Sequence, residues 1–163
     1  MTNKIDKDIA NNLDKSKNYV VALSGGVDSA VLATVVAKQN HNLRSVFIRH
    51  NQKHSKDLEE IANKIANNLK IKHKNLDSNI KASSSETKMR EARYEILYKE
   101  LQEDEILLMG HTLSDKVETF FINLLRGTRV RGLKSIPKTI GKVKRPLLGI
   151  SKNHLIDYAK ENN

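Results

Sequence analysis

Short apolar runs alternate along this chain with segments of helical periodicity, and this alternation predicts a parallel α/β sheet. Parallel strands need a crossover connection, usually a helix, and such crossovers are right-handed. The pattern therefore predicts a doubly wound, mainly parallel sheet with helices on both faces. The predicted strands are residues 19–23, 43–48, 71–75 and 106–109, and the predicted helices are residues 30–37, 58–69, 86–102 and 117–125.

The last part of the chain is less regular than the rest. Residues 143–148 are apolar enough to form an edge strand, and a final helix is expected from Ser151. The length of 163 residues is close to the ~150 residues of an ordinary domain. We therefore expect residues 1–163 to form a single domain.

The first predicted strand runs directly into a short segment that opens the first helix, and its residues are Ser24, Gly25, Gly26, Val27, Asp28 and Ser29. The two glycines allow a sharp turn and the close approach of a ligand. The Ser24 and Ser29 hydroxyls and the free N–H groups of a helix start can bind a phosphate. Asp28 would repel phosphate unless Mg²⁺ bridges the two, so the segment indicates a magnesium–phosphate site. The alternative is a Gly-Gly turn in which Asp28 and Ser29 cap the helix.

A second polar segment follows the fourth predicted strand, beginning with Gly110 and His111. Ligands in such sheets bind beyond the carboxyl ends of the strands, so both segments are expected at one site. A helix from about residue 114 would have two faces. Its polar face would carry Asp115, Glu118, Thr119 and Arg126, and its apolar face Val117, Phe121, Leu124 and Leu125. We expect the apolar face to pack on the sheet; the alternative is an ordinary amphipathic surface helix.

The Ser-Gly-Gly-x-Asp-Ser motif at residues 24–29 resembles the pyrophosphate-binding loop of the N-type ATP pyrophosphatases, or PP-loop enzymes. These enzymes activate a substrate as an adenylate and release pyrophosphate. The resemblance implies an adenine nucleotide alpha hydrolase-like, Rossmann-like fold. It also implies ATP and Mg²⁺ as cofactors, with the nucleotide held by residues 24–29, Gly110 and His111, and the metal by Asp28 and Asp115.

The second segment resembles one branch of that superfamily, the lysidine synthase family. Its Gly-His sequence leads to Asp115, Glu118 and Thr119, then to Leu-Arg-Gly at residues 125–127 and Gly-Leu at residues 132–133. Ser114 and Lys116 replace the Asp and Gln of the family pattern. Further matches are Glu86 with the Arg-x-x-Arg-Tyr sequence at residues 90–94, Arg-Pro-Leu-Leu at residues 145–148 and, loosely, His50 with Lys53. The matches keep the family's order from about residue 20 to residue 158.

Arg93 lies in the middle of the apolar stripe of the third predicted helix. A charge aimed at a core costs several kcal/mol unless it is paired or faces a cleft. We therefore expect Arg93 to hold ATP phosphates or an amino-acid carboxylate. The alternatives are a snorkelling arginine and a helical Glu86–Arg90 pair.

The resemblance implies an ATP-dependent ligase that acts on tRNA(Ile) with a CAU anticodon. ATP would adenylate the carbonyl oxygen of the wobble cytidine, and free lysine would then displace AMP to give lysidine. The residues expected to take part in catalysis are Asp28, Arg93, Asp115, Glu118 and Arg126. Two alternatives stay open, a nucleotide-binding module without full catalysis and an adenylating enzyme for another base or small molecule. Because the family's catalytic domain normally continues further, we expect this chain to be truncated or minimal at its C-terminus.

Composition helps to choose among these functions. The chain has no cysteine, which excludes thiol chemistry and disfavours the tRNA thiolases of the same superfamily, since those generally rely on cysteine. The net charge of +10 favours an RNA partner, although an AT-rich genome would also enrich lysine. Arg126, Arg129 and Arg131 form a basic cluster suited to tRNA phosphates or, alternatively, a solvated loop.

The sequence also bears on location. No apolar run approaches the ~20 residues needed to cross a bilayer, and the N-terminus has no apolar signal core. We expect a cytoplasmic protein without a membrane partner, or one of an organellar stroma or matrix if an organelle encodes it. A homodimer is compatible with the sequence.

Overall fold

The computed structural model describes residues 4–39, 41–50, 55–78, 84–127 and 135–162. For Glu86, it describes only the backbone. Helices and strands alternate through most of this part of the chain. The elements are α1 (Lys4–Ala10), β1 (Asn18–Ala22), α2 (Val27–Lys38), β2 (Asn42–Arg49), α3 (Ser55–Asn68), β3 (Lys72–Asp77), α4 (Glu86–Glu100), β4 (Glu105–Leu108), α5 (Leu113–Leu125), β5 (Thr139–Ile140), β6 (Val143–Lys144) and α6 (Lys152–Glu161). None of the described helices is both long and apolar enough to cross a membrane.

The strands form one sheet in the order β3-β2-β1-β4-β6-β5. All neighbouring strands are parallel except β5 and β6, which are antiparallel. The chain extends the sheet from β1 through β2 to β3, and then returns to place β4 on the other side of β1. This reversal between β1 and β4 is the point at which doubly wound sheets bind ligands beyond the strand ends.

Both faces of the sheet are covered, as the sequence pattern predicts. Successive strand residues point to opposite faces, so Val21 packs in one core and Val20 in the other. The larger core joins the sheet to α1, α2, α3 and α6, and α2 is buried almost all round. The smaller core joins the sheet to α4 through Leu97. The predicted doubly wound α/β architecture is therefore confirmed.

The predicted edge strand over residues 143–148 is wrong in length and in place. The strand β6 ends at Lys144 and lies between β4 and β5, so β5 forms that edge. The residues that follow turn back on themselves, since Leu148 N–H donates to Arg145 C=O and Ile150 N–H to Leu147 C=O. Pro146 has no N–H for a strand ladder, and Leu147 is buried in the larger core instead.

Helix α1 was not among the predicted elements. Its two buried residues, Ile5 and Ile9, are four positions apart and therefore lie on one face of a helix. Tyr158 of α6 donates a hydrogen bond of 2.8 Å to Asp6 Oδ1, which ties the two ends of the described chain together. The apolar spacing was present in the sequence, but seven residues give only two turns of it.

An ion-pair cluster lies at the amino-terminal edge of the strands. Arg44 Nε donates to Glu105 at 2.6 Å, and Arg44 Nη1 lies 3.2 Å from Glu100. The hydrogen bond from Arg44 is the main reason that the pKa of Glu105 lies below its ordinary value of 4.5. Because this carboxylate is stabilised in the folded state, its contribution to stability is complete above pH 4.5 and is lost as the pH falls through the lowered pKa.

Replacing Arg44 should therefore destabilise the fold. We expect Arg44→Met to lower the free energy of unfolding at pH 7 by about 3 kcal/mol or more, since it removes the cationic partner of the buried Glu105 carboxylate. The difference from the parent chain should shrink when urea unfolding is repeated below pH 4.5. Lys99→Met, which breaks the exposed Lys99–Glu95 pair, should cost less than about 1 kcal/mol. Equal losses of unfolding free energy in the two variants would contradict the stabilising role given to Arg44.

Candidate active site

The segment between β1 and α2 is an interlocked loop. Ser24 N–H donates to Ser29 Oγ at 3.1 Å, and Ser29 Oγ in turn donates to Gly26 C=O at 2.9 Å. Gly26 N–H points to Ser24 Oγ at 3.4 Å. Gly26 is the N-cap of α2 and has no side chain with which to satisfy the first N–H groups of the helix. The loop therefore presents free backbone donors and two hydroxyls at a helix start, which is a suitable arrangement for a phosphate.

Gly25 is required by the loop's geometry. Its φ is +79°, a conformation that residues with a side chain rarely adopt. A Cβ at this position would lie 2.5 Å from the carbonyl oxygen of Leu58, in α3. The first glycine of the motif thus allows both the turn and the close packing of α3 against the loop.

Gly110 brings the second polar segment against this loop. A Cβ on Gly110 would lie 3.1 Å from the Ser29 nitrogen and 3.3 Å from Asp28 C. Both contacts are to backbone atoms at the start of α2, which cannot move aside easily. The absence of a side chain at Gly110 therefore places His111 next to the loop.

Replacing Gly110 should disturb the loop. We expect Gly110→Ala to lower the free energy of unfolding by about 1–3 kcal/mol, the usual cost of overpacking, and to weaken nucleotide binding by shifting the start of α2. Chemical unfolding and calorimetric titration with ATP would measure the two effects. Gly149→Ala is the matched control, because a Cβ there would meet no atom of the described residues within 4 Å. Unchanged ATP affinity in Gly110→Ala would contradict this account.

Two adjoining cavities open at the carboxyl ends of the strands. The first, of about 430 Å³, is lined by the loop residues Ser24, Gly26, Asp28 and Ser29 and by the end of β2. The second, of about 530 Å³, lies between α4 and α5 and is lined by Arg90, Tyr94, Glu118 and Thr119 among others. The residues shared by both walls are His50, Arg93, Met109, His111 and Asp115. The two cavities can therefore hold two reacting molecules side by side.

Asp28 is the most unusual group of the first cavity. Its Oδ1 atom is buried and has no hydrogen-bond partner among the residues that the structure describes. Burial raises the pKa of Asp28, the Lys152 charge opposes this rise, and the nearby Asp115 carboxylate adds to it. Two neighbouring carboxylates, one with an unpartnered oxygen, fit a Mg²⁺ ion that takes its other ligands from phosphates and water. No group of three or more His, Cys, Asp or Glu side chains in the described part of the chain could hold a metal by itself.

Asp115 also has a structural task. Its Oδ2 atom accepts hydrogen bonds of 2.7 Å from both the backbone N–H and the side-chain hydroxyl of Thr112, at the start of α5. Burial raises the pKa of Asp115, but these hydrogen bonds and the nearby His111 outweigh burial and hold the pKa below its ordinary value. The carboxylate is thus charged at neutral pH and held in place at the wall between the cavities.

Arg93 and His50 form a second polar pair on that wall. Arg93 Nε donates to His50 Nε2 at 3.3 Å, and both side chains line both cavities. Burial lowers the pKa of His50, and the charge of Arg93 lowers it further. Arg93 therefore faces the cleft rather than the core, which removes the cost that its place in an apolar stripe would otherwise have.

Not all of the other predicted site residues line a cavity. Gly25 and Val27 shape the loop but line neither cavity. Arg126 is an exposed residue at the C-terminal end of α5 and also lines neither. Lys53, Arg129 and Arg131 lie outside the described residues, as does the Gly-Leu pair at residues 132–133. The polar face of α5 was correctly predicted for Asp115, Glu118 and Thr119, which face the second cavity.

The expected packing of the apolar face of α5 is wrong. No residue of α5 is buried among the described residues, and Phe121 is 54% and Leu125 86% exposed. The polar side of the helix lines the second cavity, while large apolar side chains of the helix remain exposed. An amphipathic pattern shows that two faces differ, but it does not show that the apolar face has a partner within the chain.

Sequence reasoning missed two parts of the site. The end of β2 contributes Val46, Phe47 and Ile48 to the first cavity. Their place next to β1 in a parallel sheet was the available signal, since adjacent strands end at one edge. The second part is Arg145, which is 4% exposed and donates to His111 Nδ1 at 3.3 Å. Only the fold brings these two residues together.

Solved structures with the same fold are known. The NH3-dependent NAD synthetase from Campylobacter jejuni superposes with a TM-score of 0.66, at 18% identity, over 98% of this chain and 72% of that chain. The NMN synthetase from Francisella tularensis superposes with a TM-score of 0.64, at 18% identity, over 97% of this chain and 69% of that chain. These likenesses place the chain in the class of adenine nucleotide alpha hydrolase-like folds.

The family is defined by the sequence. The model of the PP-loop domain matches residues 1–163, and the chain belongs to this family of ATP-binding domains. Curated relatives with the description tRNA(Ile)-lysidine synthase include that of Coxiella burnetii, 38% identical over 164 residues, and that of Haemophilus influenzae strain PittGG, 34% identical over 173 residues. The alignments cover 93% and 94% of this chain, but only 36% and 40% of the relatives. The chain thus spans well under half the length of these relatives.

Proposed function

We propose that the chain is the ATP-using part of a lysidine-forming ligase that acts on tRNA(Ile) with a CAU anticodon. The observation that carries the proposal is the pair of cavities joined at one wall. One cavity carries the phosphate-binding loop, and the other combines arginines with carboxylates. Such a pair of cavities suits a reaction in which ATP and an acceptor must meet.

The first cavity would bind ATP. Its phosphates would lie at the loop, where the Ser24 and Ser29 hydroxyls and the first N–H groups of α2 are within one turn of each other. Asp28 and Asp115 would hold Mg²⁺, which when bound neutralises charge on the pyrophosphate leaving group. The apolar end of β2 would cover the adenosine part of the nucleotide.

The second cavity would receive the wobble cytidine and lysine. Arg93 offers a cation for a carboxylate, and Asp115 and Glu118 offer anions for an ammonium group, so the cavity matches the two charges of free lysine. In the first step the cytidine carbonyl oxygen bonds to the α-phosphorus, and the bond from this phosphorus to the pyrophosphate oxygen breaks. In the second step the deprotonated ε-amine of lysine bonds to the ring carbon, the carbon–oxygen bond breaks and AMP leaves with the oxygen. The amine loses its remaining extra proton to solvent or to a carboxylate of the cavity wall.

The tRNA body would be held by charge. The chain carries a net charge of +10, and Arg126 stands exposed just beyond the second cavity, at the end of α5. Cationic side chains of this kind bind phosphates without reading the sequence. The anticodon loop is single-stranded, so the target base can leave the stack and enter a cavity.

Incorporation of lysine tests the proposal. The chain is incubated with ATP, Mg²⁺, labelled lysine and a tRNA(Ile) transcript with a CAU anticodon, and label in the tRNA is counted. We expect incorporation with this transcript and none with a matched transcript whose wobble base is G. Binding of ATP without any lysine transfer would favour a nucleotide-binding module instead, and transfer to both transcripts would contradict the assigned base.

A further inference from the structure

Arg145 is a buried arginine that connects three separate segments. It donates from Nη2 to the Tyr94 hydroxyl of α4 at 3.0 Å and from Nη1 to the Pro137 carbonyl at 2.9 Å. Its Nε donates to Nδ1 of His111, which follows β4, at 3.3 Å. No ion pair formed among the described residues includes Arg145. The guanidinium is therefore fixed in direction by hydrogen bonds, while its charge has no carboxylate partner in that part of the chain.

The contact with Arg145 determines where His111 carries its proton. A guanidinium can only donate, so His111 Nδ1 must accept and cannot itself be protonated. In a neutral imidazole the proton then lies on Nε2. Burial, followed by the charge of Arg145, lowers the pKa of His111 to about 4, so the ring is neutral at physiological pH.

The position of His111 allows the proton on Nε2 to be donated to a ligand. His111 lines both cavities, whereas Arg145 lines neither. Since Nδ1 faces Arg145, Nε2 is the ring nitrogen left for a ligand. The close packing of Gly110 on Ser29 holds the ring beside the phosphate-binding loop. A donor at this place would lie beside the loop that is proposed to bind the phosphates of the nucleotide.

We propose that Arg145 is a positioning residue that fixes His111 as a neutral imidazole with its proton on Nε2, and that this N–H donates to a phosphate oxygen of the bound nucleotide. The tautomer follows from the contact with Arg145 alone. The phosphate contact rests on the proposed function. A fixed donor that needs no rearrangement stabilises charge developing on a phosphate better than water does.

The tautomer is measured directly by long-range ¹H–¹⁵N correlation of the histidine rings of the ¹⁵N-labelled chain. The His111 signals are identified by their loss in His111→Gln. At neutral pH we expect a protonated Nε2 and an unprotonated Nδ1, and a mixture of tautomers in Arg145→Met. A wild-type ring that carries its proton on Nδ1, or on both nitrogens, overturns the proposal even if Arg145→Met fails to fold.

The phosphate contact has its own readout. A non-hydrolysable ATP analogue with Mg²⁺ should shift the His111 Nε2–H signal more than that of His154, an exposed histidine hydrogen-bonded to Ser151. A shift no larger than that of His154 overturns the contact. Neither spectrum requires lysine transfer, so the proposed function can fail independently of the tautomer. That failure would be a wild-type chain that forms no AMP although its His111 ring has the expected tautomer.

A double-mutant cycle separates positioning from a structural role. Arg145→Met should lower kcat for AMP formation by about 10–100-fold, the usual effect of losing a group that orients a functional side chain, with little change in KM for ATP. In His111→Gln the amide can present an N–H near the place of Nε2 without help from an arginine. Arg145→Met should therefore cost much less in that background. An equal loss in both backgrounds overturns the positioning role.

Discussion

Asp28→Asn should abolish most of the activity while leaving the fold at least as stable as before. We expect AMP formation to fall by about 10²–10³-fold, comparable to the loss of one group that stabilises the transition state, because the asparagine amide is a poor magnesium ligand. The buried Oδ1 atom of Asp28 has no hydrogen-bond partner among the described residues, so the substitution breaks no hydrogen bond at that oxygen in the described part of the chain. Rates with saturating ATP and Mg²⁺ would measure the effect, with the exposed Asp157→Asn as control.

The stability of the same variant provides a second check. The pKa of Asp28 is raised by burial, so the folded state binds the proton more tightly than the unfolded chain does. The tighter binding of this proton stabilises the folded state fully below the ordinary pKa of 3.8. This stabilisation is lost as the pH rises through the raised pKa of Asp28. At pH 7 the charged carboxylate therefore destabilises the fold, and Asp28→Asn should raise the melting temperature. A lower melting temperature, or full activity, would contradict the role given to Asp28.

Gly25→Ala should have the largest effect on structure. The substitution combines a positive φ with a Cβ placed 2.5 Å from the Leu58 carbonyl oxygen, so either the loop or α3 must move. We expect a loss of about 3 kcal/mol or more in the free energy of unfolding, together with loss of ATP binding. Chemical unfolding and calorimetric titration would measure both.

Gly141→Ala is the matched control for that substitution. Gly141 also has a positive φ, +53°, but a Cβ there would meet nothing within 4 Å in the described part of the chain. Its cost should be only the conformational one, about 1 kcal/mol, with ATP affinity unchanged. If the two variants were equally destabilised, the clash with Leu58 would not be the reason for a glycine in the loop.

The fold was largely predictable because its signals are local. Strands such as β1 are short apolar runs, and the Gly-Gly turn that follows predicts both the loop and the start of α2. Ser85, whose side chain accepts from the Lys88 N–H, caps the start of α4 and is likewise a local signal. Periodicity and turn chemistry thus gave the order of the elements and hence the edge of the sheet that carries the cavities.

The features that the sequence did not predict correctly depend on contacts between distant segments. The apolar face of α5 has the right period, but what covers it is decided by where the helix lies in the fold. The stretch after Lys144 is apolar because Leu147 enters the core from a turn, not from a strand. Arg145 lies 34 positions from His111 and 51 from Tyr94, so nothing in the local sequence indicates their contact.

The location of the candidate site in the fold was predictable, but the arrangement of its side chains was not. The motif at residues 24–29 and the polar segment from Gly110 were both placed correctly at the strand ends. The sequence did not show that Asp115 would also accept a hydrogen bond from the Thr112 N–H at the start of α5. It also did not show that the cleft would consist of two cavities. Such features depend on side-chain directions, which the motif spacing does not determine.

The products formed from ATP test the central claim most directly. ATP labelled at the α-phosphorus is incubated with the chain, Mg²⁺, lysine and the CAU-bearing tRNA(Ile) transcript, and the products are separated by thin-layer chromatography. Because the phosphate-binding loop is proposed to hold pyrophosphate as the leaving group, the account predicts labelled AMP, dependent on the transcript and lost in Asp28→Asn. Labelled ADP in its place, or AMP formed equally without the transcript, would contradict it.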